Sequence, residues 1–241
     1  MNFIGIIPAR YESSRFPGKP LCDIGGKPMV CKVHESASKW DKWSNIYVAT
    51  DDHRIVEACN NHSVPALVTK KSHTDCLDRA AEAVELIEGM GDKADRYIII
   101  QGDEPLFEAK TLDTDLSPEI VNFYTHVQKK EERDDPNAVK VVVSKYQKAM
   151  YFSRTTIPYD AEATRRSKDK LKIYKQIGVY SFSASAIKKY THMSSSYYEN
   201  LEGIGLLRLL ENGVDVHMRY TKHDSVSVDT EKDRQRIVSL L

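Results

Sequence analysis

Short apolar runs alternate with helical patterns along the first hundred residues of this chain. The run Phe3–Ile7 predicts a buried first strand, and Asn45–Thr50 and Tyr97–Ile100 predict two more. Between them, amphipathic spacing predicts helices, among them Met29–Lys39 and Ala80–Glu88. Strands that are separated by helices usually form parallel βαβ units. The sequence therefore predicts an α/β fold with a doubly wound, mostly parallel sheet.

The size and composition of the chain favour one globular domain spanning residues 1–241. Charged residues make up 29% of the chain and the net charge is zero, so no broad basic field indicates a nucleic-acid or membrane partner. No apolar run approaches the ~20 residues that cross a bilayer, and no secretory signal is visible. The cysteines lack disulfide or zinc spacing, so we expect free thiols in the cytoplasm: Cys22, Cys31, Cys59 and Cys76.

A basic loop follows the first predicted strand. It carries three cations and two hydroxyls: Arg10, Ser13, Ser14, Arg15 and Lys19. Arginine forks bind phosphate oxygens in pairs, and lysine adds a point charge. Open α/β sheets bind their ligands at the carboxyl ends of the strands, so the loop predicts a triphosphate site, with a solvated surface turn as the other interpretation.

The same loop excludes two common nucleotide-binding classes. It contains no G-x-x-x-x-G-K-[ST] and no G-x-G-x-x-G. Without the first motif, the Walker A sequence, the loop is not a P-loop. Without the second, the chain is not a nicotinamide-dependent dehydrogenase of the Rossmann type.

Two aspartates stand where they could share a metal ion with phosphate oxygens. Asp103 follows the apolar run Tyr97–Ile100, and Asp229 follows Val226–Val228, which predicts another strand over Ser225–Asp229. Magnesium prefers one or two carboxylates, with water and phosphate as its other ligands. The two positions therefore predict a Mg²⁺ site, while a helix cap or a turn is the other role open to either aspartate.

These motifs together resemble one enzyme family. The string I-P-A-R-Y-E-S-S-R-F-P-G-K-P-L resembles the signature of the 3-deoxy-manno-octulosonate (KDO) cytidylyltransferases, the CMP-KDO synthetases. Q-G-D-E-P-L resembles the metal motif of that family, and S-V-D-T-E-K-D resembles its carboxy-terminal motif. Further matches are V-A-T-D-D, D-P-N-A-V-K-V-V, Y-F-S-R-T-T-I-P and G-V-Y, so the likeness runs from end to end.

The resemblance implies a fold, an activity and partners. The fold would be of the nucleotide-diphospho-sugar transferase-like Rossmann type, with a small antiparallel excursion. The enzyme would transfer CMP from CTP to KDO with Mg²⁺, release pyrophosphate and serve lipopolysaccharide biosynthesis. Its partners would be CTP, a small anionic sugar acid and a second copy of the chain in a homodimer.

The resemblance also implies roles for individual residues. The catalytic residues would be Arg10, Lys19, Asp103 and Asp229, of which the two aspartates would hold Mg²⁺. The nucleotide would be bound by Arg10, Ser13, Ser14, Arg15, Lys19 and Gln101. The acceptor would be bound by Arg79, Gln101, Arg154, Gln176 and Tyr180. For Arg79 the alternative is a helix-surface residue that pairs with Asp75 or Asp78.

Departures from the family pattern fall on the acceptor side. Cys76 and Leu77 replace Gly-Thr in S-G-T-[DE]-R, Gln176 replaces a histidine, and Gly205 begins G-L-L-R where the family has E-Q-L-R. Because the nucleotide and metal positions are kept, these changes suggest a different acceptor, such as a modified octulosonate, a nonulosonate or a phosphonate. A catalytically silent nucleotide-binding protein is a further alternative.

Overall fold

The computed structural model describes residues 1–12, 16–73, 75–161 and 171–241. Ser13, Ser14 and Arg15, which are predicted to bind the nucleotide, lie outside the described residues. The contacts of the chain form two compact units. The first comprises Met1–Ile120, Gly178–Met193 and Ser225–Leu241, and the second comprises Val121–Ile177 and Ser194–Asp224. The single domain over 1–241 stays a prediction.

Strands and helices alternate along the described residues. The strands are β1 (Phe3–Ala9), β2 (Trp43–Thr50), β3 (Ala66–Val68), β4 (Arg96–Ile100), β5 (Ile120–His126), β6 (Lys140–Val143), β7 (Ala149–Ser153), β8 (Tyr174–Ser183) and β9 (His217–Tyr220). The helices are α1 (Met29–Ala37), α2 (His53–Asn61), α3 (Cys76–Gly89), α4 (Lys130–Asp134), α5 (Ala184–Thr191), α6 (Tyr197–Glu202), α7 (Leu206–Glu211) and α8 (Glu231–Val238). No helix of the described ranges combines the length and the apolar character that crossing a bilayer requires.

The first unit is built on a mostly parallel sheet. Its strands lie in the order β3-β2-β1-β4, all parallel, and the Gly178–Ser183 part of β8 pairs antiparallel with β4. Every residue of β1 and β4 is buried, as expected for central parallel strands, which are continuous apolar runs. The predicted α/β class with a mostly parallel sheet is confirmed.

Strand β1 runs two residues past its predicted end at Ile7. Pro8 pairs with Ala49 of β2, whereas pairing with β4 stops at Ile6. Proline has no N–H to give to a ladder. It is tolerated here because β1 has only one paired neighbour at this position.

The loop after β4 approaches the end of β1 so closely that position 102 requires glycine. A Cβ on Gly102 would lie 2.6 Å from the carbonyl oxygen of Pro8. Because that oxygen belongs to the backbone, we expect Gly102→Ala to lower the free energy of unfolding by about 1–3 kcal/mol in urea denaturation. Gly89→Ala is the matched control, because a Cβ on Gly89 meets no described atom within 4 Å, and it should leave stability unchanged or raised. Equal stability of the Gly102→Ala and wild-type proteins would contradict this close approach.

The second unit contains both parallel and antiparallel strand pairs. Within it β5 pairs with β9 in parallel, while β6 pairs antiparallel with β7 and with the first residues of β8. The sequence predicts one helix over Asn200–Asn212, and this prediction is wrong because α6 and α7 are separate helices. Gly203 ends α6 at φ +62, a left-handed conformation that stops a helix and that glycine adopts easily.

Candidate active site

Lys19 lies between the two carboxylates that are predicted to bind metal. Its Nζ donates to Asp103 Oδ2 at 2.8 Å and to Asp229 Oδ1 at 3.3 Å. The three side chains belong to the first unit, and each is less than a quarter exposed. The loop after β1, the loop after β4 and the segment before α8 therefore meet at one point.

The basic loop turns sharply just before Lys19. Gly18 has φ +71, and Lys19 begins a short 3-10 helix, Lys19–Leu21. The Lys19 N–H donates to the Phe16 carbonyl at 3.1 Å, which closes the turn. Arg10, at the other end of the loop, follows β1 directly and is exposed. The loop thus holds Lys19 inward and leaves Arg10 at the surface.

Asp229 is held by a segment that is not a strand, so the predicted strand over Ser225–Asp229 is wrong. The Val228 N–H donates to the Asp103 carbonyl at 2.9 Å. This bond to the loop after β4 holds the segment where strand pairing was predicted. The Val228 side chain is fully buried in a cluster with Ile24, Met29 and Ile237. Backbone pairing and apolar burial together place Asp229 beside Asp103.

The charges of the site favour a protonated lysine. Burial lowers the pKa of Lys19, but the carboxylates of Asp103 and Asp229 together outweigh it, so the pKa lies above its ordinary value of 10.5. Lys19 is therefore a cation at neutral pH. The Lys19 ammonium group lies between the carboxylates of Asp103 and Asp229.

The donor set at this point fits Mg²⁺. Asp103 Oδ1 is buried and has no hydrogen-bond partner among the described residues, although a buried polar atom normally has one. No cluster of three or more His, Cys, Asp or Glu side chains that could hold a metal occurs in the described ranges. Asp103 and Asp229 supply two carboxylates, and Mg²⁺ prefers one or two carboxylates with water and phosphate as its other ligands. Their role as metal ligands stays a prediction.

Gln101 and Tyr180 contact each other beside the Asp103 loop. Gln101 Nε2 donates to the Tyr180 hydroxyl oxygen at 2.8 Å, and the Gln101 N–H donates to the Gly178 carbonyl at 2.9 Å. Burial, with a further contribution from Cys76, raises the pKa of Tyr180 well above its ordinary value. The phenol stays protonated and available as a donor, and the acceptor role of both side chains stays a prediction.

Glu104 is a site residue that the sequence analysis missed. It is 4% exposed, and its Oε1 accepts the Gly178 N–H at 3.1 Å. A Cβ on Gly178, within β8, would lie 2.9 Å from Gln101 Cδ, so a larger residue there would displace the Gln101 and Glu104 side chains. The signal was present in Gln101–Pro105, where a second acidic residue follows Asp103 shortly after a buried strand.

Arg79 is buried, and the alternative of a helix-surface residue is wrong. Its side chain is 3% exposed and pairs with Asp51 Oδ2 at 3.2 Å. It also donates to Thr69 Oγ1 at 2.7 Å. Asp75 has another role, because it caps α3 and accepts the Leu77 N–H at 2.7 Å. Arg79 thereby ties the ends of β2 and β3 together, and its contact with the acceptor stays a prediction.

The departures from the family pattern have places in the fold. Leu77 is 1% exposed and belongs to the core. Cys76 begins α3, and burial raises the pKa of the Cys76 thiol well above its ordinary value. Gly205 is the N-cap of α7. Three of the four departures therefore have a defined place away from any shown contact with an acceptor: Leu77 in the core, and Cys76 and Gly205 at the starts of α3 and α7.

Two predicted acceptor residues belong to the second unit. Arg154 donates from Nε to the Glu202 carbonyl at 2.6 Å and from Nη2 to the Gly203 carbonyl at 3.1 Å. The Gln176 N–H donates to the Val139 carbonyl at 2.9 Å. Gln176 Oε1 is buried without a hydrogen-bond partner in the part of the chain that the structure describes. The role of both residues stays a prediction.

A family model described as cytidylyltransferase matches residues 4–219. The chain belongs to this family. It is 38% identical to the 3-deoxy-manno-octulosonate cytidylyltransferase of Syntrophus aciditrophicus, over 100% of this chain and 97% of the relative. It is 36% identical to the enzyme of the same description from Parabacteroides distasonis, over 100% of this chain and 98% of the relative. The family predicted from the motifs is confirmed, and the chain is a nucleotidyltransferase.

Solved structures give the same answer for this cytidylyltransferase. A structure of CMP:2-keto-3-deoxy-manno-octonic acid synthetase complexed with CTP superposes with a TM-score of 0.85 and 32% identity, over 100% of this chain and 98% of that one. HddC from Yersinia pseudotuberculosis superposes with a TM-score of 0.68 and 15% identity, over 100% and 99%. At that identity the second likeness shows a shared fold.

Proposed function

We propose that this chain transfers CMP from CTP to KDO and releases pyrophosphate. The observation that carries the proposal is that Lys19, Asp103 and Asp229 meet at one point. Relatives described as KDO cytidylyltransferases match the whole chain, and the 32% identical structure holds CTP. These relatives favour KDO over the other acceptors that the departures suggested, and the retained lysine and carboxylates disfavour a silent protein.

The charge of the nucleotide explains why these side chains are needed. CTP carries roughly four negative charges at neutral pH, and they repel an anionic nucleophile. Arg10 and Lys19 would neutralise that charge and stabilise the charge that spreads over the transferring phosphoryl group. Mg²⁺, held by Asp103 and Asp229, would add further charge neutralisation when bound.

The reaction itself needs little covalent help from the protein. The acceptor hydroxyl attacks the α-phosphorus in line and a new P–O bond forms. Pyrophosphate leaves with the electrons of the P–O bond that breaks, and the hydroxyl proton is released to water. Gln101 and Tyr180 would orient the sugar acid, and correct placement accounts for much of the acceleration. No covalent nucleophile is required.

The proposal includes a cellular compartment and an oligomeric state. All four cysteines are free thiols, which supports a reducing cytoplasm. A homodimer is implied by the family resemblance, and light scattering coupled to gel filtration would measure it.

A substrate panel tests the proposed function. We expect pyrophosphate release to require CTP and KDO together, and to be about 100-fold slower or more with ATP, GTP or UTP. The panel includes other sugar acids, each with Mg²⁺ and with EDTA. Release with a different acceptor but not with KDO would contradict the substrate. Binding of CTP by calorimetry without release for any acceptor would contradict the activity.

A further inference from the structure

An arginine of α2 stacks on a tyrosine of the basic loop. The guanidinium carbon of Arg54 lies 3.3 Å from the centroid of the Tyr11 ring. We propose that Arg54 and Tyr11 form a clamp that positions the basic loop, and with it Arg10 and Lys19, for the phosphates of the nucleotide. The identity of that nucleotide rests on the proposed function, whereas the clamp itself does not. We use the name clamp for this pair of side chains.

The orientation of Arg54 is fixed from behind by Asp52. Arg54 Nε donates to Asp52 Oδ1 at 2.9 Å, and Nη2 donates to Oδ2 at 2.7 Å. Asp52 is also the N-cap of α2 and accepts the Arg54 N–H at 2.9 Å. The hydrogen bonds of Arg54 lower the pKa of Asp52 to about 2, so the carboxylate is ionised at neutral pH. A two-bond pair of this kind fixes the plane of the guanidinium.

Tyr11 connects the clamp to the far end of the loop. The Gly18 N–H donates to the Tyr11 carbonyl at 3.1 Å. A Cβ on Gly18 would lie 3.2 Å from the Tyr11 hydroxyl oxygen and 3.3 Å from Cζ, so the ring packs against this glycine. Gly18 precedes Lys19, and Tyr11 follows Arg10. The clamp therefore ties together the two ends of the loop at the positions next to both cations.

This arrangement predicts an effect on nucleotide binding, with little effect on the chemical step. Loop ends that are already held in place at Tyr11 and Gly18 lose less conformational freedom when the nucleotide binds. The two-bond pair with Asp52 already engages the fork of Arg54, which makes Arg54 a positioning residue. The clamp could not be predicted from the sequence because Tyr11 and Arg54 are far apart along the chain and meet only through the fold.

A double-mutant cycle tests the clamp. Tyr11→Leu and Arg54→Gln should each raise the KM for CTP about threefold to tenfold, as expected for a cation–π contact, with kcat within about twofold of wild type. The double variant should be no worse than either single variant, because both remove one interaction. Tyr11→Phe keeps the ring but loses the hydroxyl, which also interacts with Arg54, so its KM should lie between those of wild type and Tyr11→Leu. The KM for KDO should not change.

A second readout does not depend on activity. Without nucleotide, trypsin should cleave the Arg10–Tyr11 bond about threefold faster or more in Arg54→Gln, which leaves that bond itself unchanged, than in wild type, because a loosened Tyr11 exposes the bond more often. Lys42→Gln is the matched control because it removes a different cation–π contact. In that contact Lys42 Nζ lies 5.3 Å from the centroid of the Trp40 ring. It should change neither the KM nor the cleavage rate.

The outcomes separate the clamp from the proposed function. Additive increases in KM, or an increase with Arg54→Gln but not with Tyr11→Leu, would show that Arg54 contacts phosphate directly and would overturn the clamp. Unchanged KM and unchanged cleavage would overturn it as well. If wild type releases no pyrophosphate with any acceptor, the proposed function fails, and the cleavage rates still decide whether the clamp exists.

Discussion

Asp103→Asn should reduce kcat/KM for CTP-dependent pyrophosphate release by about 10²–10³-fold. The substitution keeps the size of the side chain but removes the charge that faces Lys19 and the proposed metal. The substitution also weakens Asp103 Oδ1 as a metal ligand. Oδ1 is the buried oxygen that has no hydrogen-bond partner among the described residues. The Mg²⁺ concentration that gives half-maximal rate should rise, which a purely structural role would not cause.

The control for this change is Asp113→Asn. Asp113 also accepts hydrogen bonds, from Trp40 Nε1 at 3.0 Å and from Lys42 at 3.4 Å, but neither of these bonds involves Lys19, Asp103 or Asp229. The kcat/KM of the Asp113→Asn enzyme should stay within about twofold of wild type. An Asp103→Asn enzyme with near-normal activity and an unchanged Mg²⁺ requirement would remove Asp103 from the metal site.

Lys19→Met should reduce both activity and stability. Without the ammonium group, Asp103 and Asp229 face each other without a compensating charge, and breaking such a part-buried ion pair costs about 2–4 kcal/mol. Activity should fall about 10²-fold or more because a phosphate-binding cation is lost. Urea denaturation in EDTA measures the loss of stability, and millimolar Mg²⁺ should restore much of it, because the ion replaces the missing positive charge between the carboxylates.

The matched control is Lys32→Met. Lys32 forms an ion pair with Glu35 at 3.1 Å on the surface of α1, and such pairs contribute about 0–1 kcal/mol. Mg²⁺ should not change the stability of this variant relative to wild type. If Mg²⁺ stabilised Lys19→Met no more than it stabilises wild type, Asp103 and Asp229 would not share a metal ion.

The meeting of Lys19 and Asp103 could be predicted from the sequence. Both follow buried apolar runs, and those runs became β1 and β4, which are neighbours in a parallel sheet. The carboxyl ends of parallel neighbours lie at the same edge, so residues that follow them meet. The strand pattern therefore carried most of the site.

The partners of Arg79 and the segment before Asp229 could not be predicted in the same way. Arg79 pairs with Asp51 and Thr69, which follow β2 and β3, and this contact depends on the register of two strands. The Ser225–Asp229 segment has the alternating residues of a strand. Its Val228 N–H, however, donates to the Asp103 carbonyl in a loop, and the segment does not pair with a neighbouring strand. Local pattern gives the propensity of a segment, whereas tertiary contacts decide which partner it takes.

The ion pair between Lys19 and Asp229 joins residues that are 210 positions apart. During synthesis the amino-terminal strands and the basic loop leave the ribosome early, and Lys19 can then find only Asp103. The second carboxylate and helix α8, whose Ile237 packs against Val228, are translated more than 200 residues after Lys19. A polypeptide released before residue 225 would keep the strands of the sheet but lack half of the proposed metal ligands, so catalytic competence itself reports that translation has passed Asp229.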